Sequence, residues 1–447
     1  MKRGPVRVVI LGAAGRDFHD FNTVYRDDPA FEVVAFTAAQ IPGIDDRRYP
    51  ATLCGTRYPQ GIPIMAEASL EAILRNTGAS LVVFAYSDMP HAGVMHLASR
   101  ALAAGADFTL LGPTSTMLRS RLPVIAVSAV RTGCGKSQVA RYLSRLVRAR
   151  GLRTAVIRHP MPYGNLEAQR VQCFRTRDDL ARAQCTIEER EEYEPHLAAG
   201  NAVYAGVDYA AVLALAEAES DVVIWDGGNN DFPFIRPDLH IALTDALRPG
   251  NEASHHPGEA VLRMADIIVV AKADSVTADQ GALAMAEARA INPRACILRG
   301  ASPVTLDDPE AVRGRRVLVV EDGPTITHGS MPHGAAFVAA TRARAGMIID
   351  PRPHAAPTIT AVYAAYPHIG PVLPAMGYSP AQQEALRATI VASNPEVVVA
   401  GTPIDLGALM STPVKVVRAR YEFAEMDEPG LDSLVDSFLG RVNKATP

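Results

Sequence analysis

Val130-Arg131-Thr132-Gly133-Cys134-Gly135-Lys136-Ser137 is the stretch that decides how this chain is read. It follows an apolar run at 122–130 and precedes a segment, 138–150, in which Val139, Leu143, Leu146 and Val147 recur at helical spacing until Gly151 supplies a stop. A strand, a glycine-rich turn and an amphipathic helix in that order form the context of a phosphate-binding loop. The backbone N–H groups of Thr132, Gly133, Cys134 and Gly135 would face an anion at the helix start. The Lys136 ammonium would reach the β- and γ-phosphates of ATP or GTP, and the Ser137 hydroxyl would ligate Mg²⁺. Val130 stands where the pattern G-x-x-x-x-G-K-[ST] has its first glycine.

Outward from the loop, the upstream chain carries β-rich runs at 6–11, 31–37, 81–86 and 108–111, with helical stretches between them. That rhythm predicts a Rossmann-like α/β unit. Arg119-Ser-Arg-Leu-Pro123 reads as a linker and sets a boundary near residue 120. Downstream, near-continuous apolar runs at 154–157, 222–225, 267–271, 317–320 and 397–400 read as buried parallel strands. The expected architecture is therefore α/β: an N-terminal Rossmann-like domain (1–120) followed by a doubly wound P-loop NTPase domain (121–447) with a C-terminal extension.

An acidic residue ending a strand beside the loop should hold Mg²⁺ through water, and Asp226, closing Asp221-Val-Val-Ile-Trp-Asp226, fits. Lys272-Ala-Asp274 follows another strand and matches the guanine-reading N-K-x-D of P-loop GTPases, with Ala271 in place of the Asn. Arg131 occupies the loop position at which a P-loop class resembling the nitrogenase iron protein and MinD carries an extra Lys. That Lys stabilises transferred charge, often from the other subunit, so a homodimer is expected. Arg158, His159 and Tyr163 leave a strand expected next to the P-loop strand, and with Arg175, Arg177 and Arg248 they form a set suited to the phosphates of an anionic substrate. The acidic segment 188–196 is either a solvated helix end or a cation-orienting group. Gly12-Ala-Ala-Gly15 is a weak dinucleotide signal, and the alternative places Arg16, Asp17, His19 and Asp20 in an interdomain cleft.

A net charge of -4 over 447 residues gives no basic field for nucleic acid. No apolar run approaches the roughly 20 residues that cross a bilayer. Five cysteines without a CxxC pair suggest neither a disulfide framework nor a zinc site. A cytoplasmic protein is expected.

Taken together, Gly12-Ala-Ala-Gly15-Arg16-Asp17-Phe18-His19-Asp20-Phe21-Asn22, the loop, Arg158-His-Pro-Met-Pro-Tyr163-Gly164, Glu192-Tyr-Glu-Pro-His196 and Asp226-Gly-Gly-Asn-Asn230 resemble the cyclic 2,3-diphosphoglycerate synthetase family. Glu321-Asp-Gly-Pro-Thr-Ile-Thr327-His328-Gly329 and Gly401-Thr-Pro-Ile-Asp405-Leu406 extend the resemblance over nearly the whole chain. It implies an ATP-driven ligase that passes a γ-phosphoryl group to a small phosphorylated acid and then closes a pyrophosphate ring. A GTPase using hydrolysis as a conformational switch is the alternative.

Overall fold

The computed structural model describes residues 4–39, 47–159, 164–228, 231–327, 329–375, 380–402, 406–407 and 414–445. Tyr163, expected among the substrate residues, lies outside them.

The N-terminal strands are β1 (Val6–Leu11), β2 (Phe31–Ala38), β3 (Ile62–Ala66), β4 (Leu81–Phe84) and β5 (Asp107–Leu110). They run parallel in the order β3-β2-β1-β4-β5, with Arg48–Tyr49 antiparallel at the β3 edge. Val8 to Leu11 of β1 are all buried, as a central strand covered on both faces requires. Helix α1 (Arg16–Asp20) follows the glycine turn after β1.

The P-loop sheet contains β6 (Val124–Ala129), β7 (Thr154–Arg158), β8 (Ala202–Ala205), β9 (Val222–Asp226), β10 (Leu239–Asp245), β11 (Ile267–Ala271) and β12 (Cys296–Ala301). These seven run parallel in the order β8-β7-β9-β6-β10-β11-β12. The loop leaves β6 and enters α2 (Lys136–Ala149), whose Val139, Leu143 and Val147 sit one turn apart and are buried. Gly133, Gly135 and Gly151 take positive φ values of 83°, 99° and 76°, which supply the tight turn before α2 and the stop after it. The chain is thus α/β, with a Rossmann-like unit ahead of a doubly wound P-loop unit. One expectation is corrected by the strand order. β7 is not the neighbour of β6, because β9 lies between them, so Arg158 stands one strand further from the loop than its place in the sequence implies.

The apolar runs at 317–320 and 397–400 do not join this sheet. They belong to β13 (Arg316–Asp322) and β14 (Val397–Ala400), which pair with each other, and β14 pairs in turn with β15 (Lys415–Tyr421), all parallel. After this third sheet the chain returns: α5 (Leu431–Ala445) places Leu431, Val435, Phe438 and Leu439 in one apolar cluster with Leu143 and Val147 of α2. Tyr142 donates to Glu425 at 2.6 Å beside that seam. Other helices named below are α3 (Ile187–Ala198) and α4 (Ala335–Arg342). Burying one such leucine contributes about 1.5–3 kcal/mol. Leu143→Ala, which also leaves a void, should therefore lower unfolding free energy by about 2–5 kcal/mol in a urea titration. No helix among the described residues is long and apolar enough to cross a membrane.

Candidate active site

The loop opens on a cavity of about 820 Å³. One wall is the loop, from Arg131 to Ser137. The second is α3, with Glu191, Glu192 and Glu194. The third comes from the last sheet, with Asp322, Thr402 and Arg418. The site is thus enclosed by the unit inserted after β12, and the N-terminal sheet lies elsewhere.

Asp226 ends β9 fully buried and is surrounded by donors. Lys136 Nζ meets its Oδ1 at 2.6 Å and donates to the Gly227 carbonyl at 2.5 Å. Arg158 Nη1 reaches Asp226 Oδ2 at 2.6 Å, and His196 Nε2 reaches the same oxygen at 2.8 Å. Burial by itself raises this carboxyl, but the charges of Arg158 and Lys136 and the His196 bond overcome it and hold Asp226 well below the usual carboxylate range. Burial also lowers Lys136 to about 8, against the pull of Asp226. His196 is lowered to about 4 by burial and is neutral at pH 7. Asn201 Nδ2 donates to His196 Nδ1 at 3.2 Å and to Ser144 Oγ at 2.9 Å, so the His196 proton sits on Nε2, facing Asp226.

Arg158, 3 % exposed, also donates from Nη1 to Ser137 Oγ at 3.3 Å and pairs through Nη2 with Glu192. One guanidinium nitrogen therefore joins Ser137 Oγ to an Asp226 oxygen. Those two oxygens are the pair expected to hold Mg²⁺ directly and through water, and they converge on a position that takes a cation. The residues fit the ion, provided Arg158 withdraws when it binds.

The remaining predicted residues divide. Arg131 donates to Asp88 Oδ1 at 2.7 Å and to Asn251, and Asp88 also takes the Thr132 N–H at 3.2 Å and the Thr132 hydroxyl at 2.5 Å. A carboxylate of the N-terminal unit thereby grips the outer side of the loop. Arg248 bonds the Thr132 and Gly329 carbonyls at 2.8 and 2.6 Å and acts as a brace beneath Gly133. Lys272 pairs with Asp245 at 2.8 Å, and Asp274 accepts the Ser302 N–H at 2.9 Å; neither lines the cavity. Arg177 lines it 3.6 Å from Glu194, whereas Arg175 is paired with Glu219 on the surface. Asp88 and Asn201 carry no sequence signal for these contacts, and His196 enters only as the end of the Glu192–His196 motif, with no contact to Asp226 expected. Asp88 acts across more than forty residues, and a histidine inside an acidic helix reads as surface.

His159 sits between the two N-terminal units of the chain. Its ring lies where a Cβ on Gly15 or Gly228 would be, 1.9 and 2.9 Å away, so both positions need glycine for close approach. Arg16, Asp17, His19 and Asp20 do not open into a cleft as expected; all four are buried. Arg16 bonds Asp231 Oδ1 at 2.5 Å and lies over the Phe232 ring, and His19 stacks on Phe234 at 4.2 Å. Asp17 accepts the Ala14, Gly15 and Phe18 N–H groups at 2.9, 3.1 and 2.7 Å. A carboxylate of the chain itself thus fills the nest that a dinucleotide pyrophosphate would require.

Burial lifts Asp20 to about 8, and neither of its carboxylate oxygens has a hydrogen-bond partner among the described residues. With an unfolded value of 3.8 the unfolded chain ionises first, so between pH 4 and 8 the native state holds the extra proton and stability falls as pH rises. The limiting slope is about 1.4 kcal/mol per pH unit. Thermal melts from pH 5 to 8 should decline more steeply for the wild type than for Asp20→Asn; parallel curves would remove Asp20 as the cause.

Fold and site together define a P-loop nucleotide-dependent enzyme. The chain belongs to the family of arginine synthetase ArcE of Thermococcus kodakarensis, to which it is 52 % identical over 438 residues, covering 98 % of each chain. That name differs from the cyclic 2,3-diphosphoglycerate synthetase family that the motifs resemble. No family model matches the chain. Among solved structures, LpxK from Aquifex aeolicus in complex with ATP is similar at 15 % identity and TM-score 0.41, over 73 % of this chain and 90 % of that one. A ParA family ATPase from Chlorobium tepidum is similar at 12 % identity and TM-score 0.24, over 40 % of this chain and 83 % of that one. The relative is a synthetase, and this enzyme is correspondingly an NTP-driven ligase in general class.

Proposed function

We propose that the enzyme is an ATP-driven ligase that completes the guanidinium group of arginine. The observation that carries this reading is the full-length similarity to a protein named for that product. An NTP-driven synthesis of arginine replaces a ureido oxygen by nitrogen. The ureido oxygen of an acceptor such as citrulline attacks the γ-phosphorus and ADP leaves. Ammonia then adds to the activated carbon, inorganic phosphate departs with the oxygen, and the surplus proton passes to solvent. This is the γ-transfer and displacement sequence expected for ring closure, with a nitrogen nucleophile in place of a second phosphate.

The cavity lining carries both signs of charge. Glu191, Glu192, Glu194, Asp322 and Glu422 line it together with Arg131, Lys136, Arg141, Arg145, Arg177, Arg418 and Arg420. Carboxylates beside guanidinium groups offer a zwitterion a partner for each end. Lys136 and the loop N–H groups would hold the triphosphate, and Ser137 and Asp226 would hold Mg²⁺, which supplies charge neutralisation when bound.

The test is to incubate the protein with ATP, citrulline and ammonium, following ADP and phosphate release and product mass. Arginine formation dependent on all three is expected. Phosphate release with 2,3-bisphosphoglycerate and a cyclic product instead would replace this reading. ATP is preferred to GTP here because Asp274 and Lys272 are engaged away from the cavity. Asp274→Asn should accordingly shift the ATP-to-GTP ratio of kcat/KM by less than about threefold, under 1 kcal/mol. A selective collapse of GTP use would restore guanine recognition.

A further inference from the structure

The third sheet turns a ligand-binding edge of its own toward the P-loop. In open parallel sheets, ligands bind outside the carboxyl ends of the strands. β13 ends at Asp322, and β14 is followed two residues on by Thr402; both side chains line the P-loop cavity, as does Arg418 of the neighbouring β15. Both segments belong to motifs that the phosphate chemistry does not use.

Successive strand residues face opposite sides, and here the alternation has a structural half and an open half. Glu321 points inward, where it accepts the Phe337 and Ala336 N–H groups at the start of α4 at 2.8 and 3.3 Å. A Cβ on Gly334 or Gly401 would lie 2.5 Å from its Oε2, so both glycines are needed to seat it. Burial pushes Glu321 up to about 7. With Glu321 anchored, Asp322 turns to the cavity. It lines the cavity and accepts from Thr325 N and Oγ1 at 3.3 and 2.6 Å, both on Oδ2. Thr402 Oγ1 donates to Glu191 at 3.0 Å and ties this edge to α3.

We propose that this edge is the binding site for the α-amino-acid end of the acceptor, with Asp322 taking the α-ammonium and Arg418 the α-carboxylate. The side-chain terminus then extends across the cavity toward Lys136, and the two α/β units hold the two substrates face to face. This placement rests on the arginine-forming reading above.

The probe is L-arginine, titrated calorimetrically into the full-length wild type, Asp322→Asn and Arg418→Met, with agmatine, which lacks the α-carboxylate, as its comparator. Wild type should bind L-arginine at least about tenfold more tightly than agmatine. Asp322→Asn should weaken L-arginine by about ten- to hundredfold, the loss of a charge-assisted hydrogen bond. Arg418→Met should erase the difference between the two ligands. ADP affinity, measured on the same samples, reports whether the loop is intact. If Asp322→Asn does not fold, the agmatine comparison in Arg418→Met decides alone. Wild-type binding with both variants indifferent would overturn the placement and leave the function standing. A wild type that binds no arginine, with or without nucleotide, would overturn both.

Discussion

Lys136→Met should lower ATP-dependent turnover by about 10²–10³-fold, the usual loss when a preorganised charge is removed from a reacting centre. This ammonium lies 2.6 Å from Asp226 Oδ1 and 2.5 Å from the Gly227 carbonyl, at the start of the helix where the β- and γ-phosphates would be met. Its pKa gives the variant a companion measurement. Burial holds Lys136 near 8 in the free enzyme, so the proton that makes it useful is lost as pH rises through that value. The profile of kcat/KM, which reports the free enzyme, should therefore fall above pH 8. Bound triphosphate favours the ammonium, so kcat should persist to higher pH. Lys136→Arg, whose pKa is far higher, should abolish the alkaline limb even if its bulk costs rate. A wild-type kcat/KM that stays flat to pH 10, or a Lys136→Met variant within tenfold of wild type, would remove the ammonium from this role.

What the sequence makes legible is local. Gly133, Gly135 and Lys136 must follow a strand and open a helix, and each requirement is written in residues within a few positions of the next. Asp226 is similarly marked by the strand that precedes it. Strand order is different, because pairing is decided by packing across the sheet: a five-residue strand with an apolar centre, ending in Arg158, fits beside β6 or beside β9 equally well. For the same reason the runs that became β13 and β14 could not be told from P-loop strands, since a buried parallel strand reads alike in any sheet. Long-range partners leave even less trace. Asp88 is an ordinary turn aspartate until the fold sets it against Arg131 and Thr132. Asp322 acquires meaning only when its sheet is seen to face the loop.

Asp226→Asn is expected to cost both catalysis and stability, and the two losses have separable origins. The side chain is fully buried and is the shared counter-charge of Lys136 and Arg158, whose own exposures are 12 % and 3 %. Neutralising it in place leaves Lys136 and Arg158 facing an amide, with Glu192 still paired to Arg158, and breaking a buried pair in this way costs about 3–5 kcal/mol. His196 can still donate Nε2–H to the amide oxygen, because Asn201 fixes the same tautomer, so the packing survives and the charge is the main quantity changed. If stranded charge is the cause, removing one cation as well should return part of the loss. The double variant Asp226→Asn/Lys136→Met should then be more stable in urea unfolding than Asp226→Asn alone, with a coupling of about 1–3 kcal/mol. Activity should behave oppositely. The double variant should be no more active than either single one, since on the proposed function the Lys136 charge and the oxygen beside Ser137 would serve the same phosphoryl transfer. Additive destabilisation in the double variant would show that Asp226 stabilises the fold through something other than these two cations. Recovered turnover would show that Lys136 serves Asp226 and not the nucleotide.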